Sequence, residues 1–222
     1  MRRAVVIVGL VFLPGATLAA QWTGMPAWND PAGGTGVVIA ADWGMPNDAA
    51  GNGDAYGARA SLGLGSMTLT AGGGSYKPSG YTDATTTWGG QVAFRLIGGS
   101  LTPIAVNLQL GAGTSSSITS GTGTYPQITT IVGAVGIAVP LPTPGIHLEG
   151  FFSPGMRHRE LTERGGGLPD FSETKFGYTV GGNIGFGLFG VHVAYDHQDT
   201  SSGSIGTFGL GMHLAFRPSL GL

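Results

Sequence analysis

Apolar positions along this chain alternate with small or polar ones at a period of two, in segment after segment. Between Tyr56 and Leu64 one face reads Tyr56, Ala58, Ala60, Leu62, Leu64 and the other Gly57, Arg59, Ser61, Gly63. From Ile104 to Ala112 the faces are Ile104, Val106, Leu108, Leu110 against Ala105, Asn107, Gln109, Gly111. Phe176, Tyr178, Val180, Ile184 and Phe186 oppose Gly177, Thr179, Gly181, Asn183 and Gly185, and Phe208, Leu210, Met212, Leu214 and Phe216 oppose Gly209, Gly211, His213 and Ala215. Side chains of a strand point alternately to its two faces, so each segment predicts a strand with one apolar face. Weaker alternation marks Val37 to Trp43, Met67 to Tyr76, Thr87 to Ile97, Thr130 to Val139, Ile146 to Phe152 and Phe189 to Tyr195. No stretch sustains a 3.6 period with a cap, so the chain is expected to be all-β with about ten strands, eight and twelve being the alternatives.

The connections between these strands alternate in length. Short ones, Gly65-Ser66, Gly98-Gly99-Ser100, Pro140 to Gly145 and Gly187 to Gly190, follow the even strands. Longer polar ones, Met45 to Asp54, Lys77 to Thr86, Thr114 to Gln127, Arg157 to Thr174 and His197 to Ser204, follow the odd strands. That is an up-and-down antiparallel meander with tight turns at one end and long loops at the other. Strands of about 9–11 residues are what a tilted strand needs to cross a bilayer. The aromatic residues fall at two levels of the apolar face: Trp43, Tyr56, Trp88, Phe152, Phe176, Tyr178 and Tyr195 toward the long loops, and Phe94, Phe189 and Phe216 toward the turns. Two such girdles around an aliphatic band suit the headgroup levels of a membrane.

In this arrangement the chain resembles the small bacterial outer-membrane β-barrel proteins, those of roughly eight to twelve strands. The resemblance is one of pattern over nearly the whole chain, without a residue motif. It implies a transmembrane β-barrel with periplasmic turns and extracellular loops, contact with outer-membrane lipid and lipopolysaccharide, and recognition by the barrel-assembly machinery of a C-terminal aromatic. Here Phe216 closes the last strand, but residues 217–222 follow it, a departure from that pattern.

Composition sharpens the picture. Only 10% of the 222 residues are charged, 43 are glycine and none is cysteine. A water-facing surface normally carries more charge, about 25% of residues, whereas a lipid-facing one needs none. The start reads as a signal peptide over 1–20: basic Arg2-Arg3, an apolar run from Ala4 to Leu13, and a small-residue site at Ala19 or Ala20. Residues 21–34 form an irregular segment with Pro26, Pro31 and two tryptophans, expected either in the periplasmic mouth or tucked into the lumen. The barrel is expected over 35–217, with a tail at 218–222. A formal charge of −2 and the lack of a basic patch argue against nucleic acid as a partner.

Chemistry-bearing candidates are few. The inward parity carries Arg59, Gln91, Arg95, Asn107, Gln109, His147, Glu149, Asn183, His192, Asp196 and His213, which either line a narrow aqueous path or pair with one another and plug it. The connection from Arg157 to Thr174 holds Arg157, Arg159, Glu160, Glu163, Arg164, Asp170 and Glu173, and is the first choice for an external contact loop. A barrel-embedded hydrolase acting on lipid A or peptide would need a rim constellation; His197 with Asp196, Asp199, Ser201 and Ser202, or His158 with Glu160 or Asp170, are the residues on offer, at spacings that match no catalytic motif. His192 and His213 share the inward face but lack an identified third ligand, so no metal is expected. Gly72-Gly73-Gly74 lies in a strand with no GxxxxGK[ST] sequence after it, so no nucleotide or other cofactor is expected. A secreted soluble barrel holding an apolar ligand would turn the apolar faces inward and leave almost uncharged Gly, Ser and Thr faces in water. The expected role is therefore a structural, surface-contact or narrow-channel barrel of the outer membrane, without catalysis.

Overall fold

The structure, a computed structural model, describes residues 22–28, 34–98, 102–121, 123–163 and 165–216. The expected signal peptide at 1–20, the turn residues Gly99 and Ser100, Arg164 of the contact loop and the tail at 218–222 lie outside these residues. Alternation resolves into β1 (Thr35–Pro46), β2 (Gly53–Leu64), β3 (Met67–Pro78), β4 (Thr85–Ile97), β5 (Ala105–Ser115), a short hairpin of β6 (Ile118–Ser120) and β7 (Gly123–Tyr125), then β8 (Gln127–Thr143), β9 (Ile146–Thr162), β10 (Phe171–Phe186), β11 (Phe189–Thr200) and β12 (Gly203–Phe216). Ten of these close into a barrel in the order β1-β12-β11-β10-β9-β8-β5-β4-β3-β2. Every pairing is antiparallel, and the closing one runs from Val37↔Phe216 to Pro46↔Thr207.

The alternation places large apolar side chains outside. Ile39 is 50% exposed, Leu110 57% and Met212 66%, as part of a belt that continues around every barrel strand. Contiguous apolar surface on this scale is foreign to a water-soluble monomer. It is what hydrocarbon requires, and closure leaves no strand edge whose N–H and C=O groups would go unpaired in lipid. The fold is a transmembrane β-barrel. Trp43, Tyr56, Trp88, Phe152, Phe176, Tyr195, Phe94, Phe189 and Phe216 are exposed on this outer face, and Tyr178 lies there half-buried between Phe152 and His197.

One end of the barrel is made of tight turns. Gly65-Ser66, Pro144-Gly145 and Gly187-Leu188 connect strands directly, with Gly65, Gly145 and Gly187 at φ of 76°, 76° and 61°, a region that L side chains resist. At the other end three expectations need correction. The connection expected over Arg157 to Thr174 shrinks to 163–170, because β9 and β10 keep pairing beyond the aromatic girdle, from Phe176↔Met156 to Phe171↔Leu161. Arg157, Arg159, Glu160 and Glu173 are therefore strand residues, with only Glu163 and Asp170 in the described loop. The connection expected over His197 to Ser204 is the two-residue turn Ser201-Ser202, since Thr200 pairs with Gly203. The long polar connection expected over Thr114 to Gln127 is not loop throughout: β5 runs to Ser115, and the chain folds back as β6 and β7 through Ile118↔Tyr125 and Ser120↔Gly123.

An arginine on the lipid face at mid-strand meets hydrocarbon without a partner. Leu110→Arg is expected to destabilise the barrel by roughly 2–4 kcal/mol in equilibrium unfolding from lipid vesicles; an unchanged midpoint would contradict the assignment of this face to the bilayer.

Candidate functional site, the plugged lumen

The irregular N-terminal segment occupies the lumen. Trp22, Met25, Ala27 and Trp28 are buried, and their neighbours are inward positions of the barrel wall. Trp22 lies against Gly57 and Gly72, Met25 against Gly44, and Pro26 and Trp28 against Gly209; a Cβ at any of these glycines would run into the segment. Residues 22–25 sit in the half of the lumen nearer the loops, Trp28 sits at the level of Arg59 and His192, and β1 begins at the turn end. The segment thus passes down the barrel axis before the chain turns back as β1. Burying Trp22, Met25 and Trp28 stabilises this placement by about 1.5–3 kcal/mol each. Against that, the indole N–H groups of Trp22 and Trp28 have no hydrogen-bond partner among the described residues, at about 1–3 kcal/mol each.

Around Trp28 the wall carries a charged network. Arg59 donates from Nε to Asp42 Oδ2 at 2.9 Å, and its guanidinium lies over the Trp28 ring, 5.3 Å from the centroid. His192 Nε2 is 2.6 Å from Asp42 Oδ1 and 3.0 Å from Arg59 Nη2, so the imidazole edge joins both members of the ion pair. On the other side of the ring, His192 Nδ1 lies 3.0 Å from His213 Nδ1. The two ring centroids are 5.3 Å apart and the ring planes are 26° apart. Asp42, His192 and His213 form a continuous chain across β1, β11 and β12.

Further polar sets are wired strand to strand. Asn183 donates to Glu149 at 3.2 Å, with His147 at 3.9 Å from the same carboxylate. Gln109 donates to Asn107 at 2.8 Å and to Ser153 at 3.4 Å. Gln91 lines a cavity of about 80 Å³ beneath Trp28, toward the turns, together with Arg59, His147 and His213. Arg95 shares the inward parity of β4, paired in register with Asn107. Nearer the loops Arg157, expected outside, is fully buried in the lumen: it donates to Asp196 at 2.5 Å and to Thr179 at 3.0 Å, and the Thr179 hydroxyl donates to the same carboxylate. Of the sequence-derived lumen set, every member lies on the inward parity. Asp42 and Arg157 complete the ion pairs and were missed as lumen residues.

Two apolar layers interrupt these polar sets. Trp28, Phe151, Ala105, Ala138 and Ala194 form one. The other closes the loop end, where Trp22 and Met25 pack with Ala55, Tyr76, Tyr125 and Ile128, and Tyr81, Ile118 and Leu161 pack against them. Tyr76 donates to the carbonyls of Ala50 at 3.0 Å and Asn52 at 2.7 Å, and Tyr125 donates to Ala50 at 3.4 Å, so the hairpin and the neighbouring loop hold the lid down.

No family model matches the chain, and no curated protein sequence does. Solved structures match it in fold. The N-terminal β-barrel domain of OprF from Pseudomonas aeruginosa is 17% identical, with 83% of this chain and 99% of that one covered and a TM-score of 0.43. The attachment invasion locus protein Ail from Yersinia pestis is 13% identical, with 82% and 99% covered and a TM-score of 0.39. The outer membrane protease OmpT from Escherichia coli is 10% identical, with 82% and 94% covered and a TM-score of 0.42. The likeness is to the barrel and says nothing about a site.

The rim residues weighed for hydrolysis do not assemble. Asp196 points into the lumen toward Arg157, whereas His197, 3.2 Å from Asp199, stacks on Tyr178 at the outer face. His158 lies 2.9 Å from the Thr174 hydroxyl across β9 and β10, and Glu160 is exposed on the outer face. Glu163 accepts from the Ser117 hydroxyl, and Glu173 accepts from the Ser201 N–H at 2.8 Å, tying loops together. Asp170 is exposed. Among the described residues no three His, Asp or Glu side chains gather as a metal site.

Removing one partner of the buried Asp42–Arg59 pair strands the other. Asp42→Asn and Arg59→Met are each expected to cost about 3–5 kcal/mol in unfolding free energy, and the double variant less than their sum; additive costs would show that the pair is not coupled. Burial pushes the Tyr125 phenol up from 10.0 to about 12. A raised folded-state value favours the neutral phenol, so the lid's stabilisation is complete below pH 10 and lost as pH rises through 12. Tyrosinate absorbance in a Tyr125→Phe difference titration checks this, and titration of Tyr125 at the ordinary value would refute it.

Proposed function

We propose that this chain is a bacterial outer-membrane barrel that works at its surfaces rather than through its lumen, a structural or surface-contact protein that is closed to solutes at rest and carries out no catalysis. The observation behind this reading is the buried segment 22–28, which fills the lumen and completes both apolar layers. Ion passage would require a continuous hydrated path, and the segment occupies the bore where that path would run, completing two apolar clusters with the wall.

In the outer membrane the long loops face outward and the turns face the periplasm, and the aromatic girdles lie at the headgroups. The outward rim exposes Asp48, Asp54, Asp83, Glu160, Glu163, Asp170 and Asp199. Contact with lipopolysaccharide then falls to the girdle aromatics and to sugar hydroxyls, because these carboxylates outnumber the exposed Lys77 at the same rim and repel the lipopolysaccharide phosphates. Phe216 at the end of β12, paired with Val37, is the aromatic offered to the assembly machinery.

The purified protein is expected to migrate as a heat-modifiable band, to partition with outer membranes, and to give no single-channel steps above leak in planar bilayers. Frequent wild-type steps would overturn the closed-lumen reading, and recovery in the soluble fraction would overturn the membrane assignment.

A further inference from the structure

We propose that residues 22–28 are a displaceable gate, and that the barrel becomes a narrow, weakly selective aqueous channel when this segment leaves the lumen. The inference rests on the reading of the barrel as closed at rest, and adds a second state to it.

The first support is how the segment is held. Among the described residues its hydrogen bond to the wall runs from the Thr23 N–H to the Thr87 hydroxyl at 3.1 Å. Neither buried indole N–H finds a partner, and both would gain water on release. Beyond that hydrogen bond, shape, apolar burial and the packing of the Trp28 ring under the Arg59 guanidinium and against His192 hold the segment, and no ion pair ties it to the wall among the described residues.

The second support is that the wall does not need it. Asp42 is satisfied by Arg59 and His192, Asp196 by Arg157 and Thr179, and each tie runs between barrel strands. Withdrawing the segment therefore leaves none of these carboxylates without its partner. Among the described contacts, residues 22–28 make no ion pair with either carboxylate.

The third support is what remains behind. The segment rests on Gly44, Gly57, Gly72 and Gly209, which have no side chains to swing into the space it leaves. The tyrosine lid loses Trp22 and Met25 from beneath it, and the mid-lumen layer loses Trp28. The exposed bore is then lined by Asp42 beside Arg59 and Asp196 beside Arg157, opposite charges held close together, with Glu149 beside Asn183 and His147. Such a lining attracts neither sign of ion strongly, hence the weak selectivity.

The chain has no cysteine, so a disulfide can be introduced cleanly. In planar bilayers, deletion of 22–28 and the double variant Trp22→Ala/Trp28→Ala are expected to show discrete steps at least about tenfold more often than wild type, with a reversal potential near zero in a salt gradient. Pinning the segment through Thr23→Cys/Thr87→Cys is expected to abolish steps in the oxidised Trp22→Ala/Trp28→Ala background and to restore them on reduction. Heat-modifiable migration verifies folding of each variant. Silence of the folded deletion or double variant alongside a silent wild type overturns the gate while leaving the closed barrel standing. Steps that persist under the disulfide overturn the gate as well. Should the deletion not fold, the double variant and its disulfide decide.

Discussion

Everything in this molecule follows from one constraint: inside hydrocarbon, each backbone N–H and C=O must find its partner within the protein. A sheet meets that demand only by closing, and β1 meeting β12 is the step that removes the last edge. Closure divides the side chains into two populations that no longer exchange. Those outside must suit lipid, and those inside share a bore too narrow for bulky residues on every strand. The strand alternation, the low charge and the aromatic levels are three consequences of the same closure.

The second consequence concerns the inside. Charged groups there are far from bulk water, so they persist only where a neighbouring strand supplies the counter-group. Asp42 with Arg59 and His192, and Asp196 with Arg157 and Thr179, meet this condition by placing partners on different strands at nearby heights. These ties also hold the wall independently of what fills the bore, and this is what frees the N-terminal segment to act as a separate body.

Period-two parity made the barrel legible because it is a local signal repeated in every strand, and a one-residue error would turn a whole strand inside out. It also put Arg59, Glu149, His192 and Asp196 inside. Asp42 was within its reach, standing between the outward Ala41 and Trp43, but its partners lie on β2 and β11 and no local pattern links them. Arg157 was misplaced because density of charge was read as a loop, whereas β9 and β10 extend past the bilayer and continue to alternate above it. The segment 22–28 offered no period at all, only two tryptophans and prolines. Its place in the lumen depends on glycines up to 183 residues away, Gly209 against Pro26, which a reading along the chain cannot connect.

Those glycines separate two causes of one compositional excess. At Gly65, Gly145 and Gly187 the residue is needed for a backbone angle, and the turn would be strained with anything larger. At Gly44, Gly57, Gly72 and Gly209 the backbone is on ordinary strand geometry, and the residue is needed for the room a Cβ would take. A strand glycine costs side-chain packing and chain entropy, so a column of them facing inward is unfavourable unless something else fills the space. Trp22, Met25 and Trp28 fill it here. The wall and the plug are therefore complementary in shape although they share few polar contacts, an arrangement that permits dense packing in the closed state with the segment held by apolar burial, the Arg59–Trp28 stacking and one backbone hydrogen bond rather than by ion pairs.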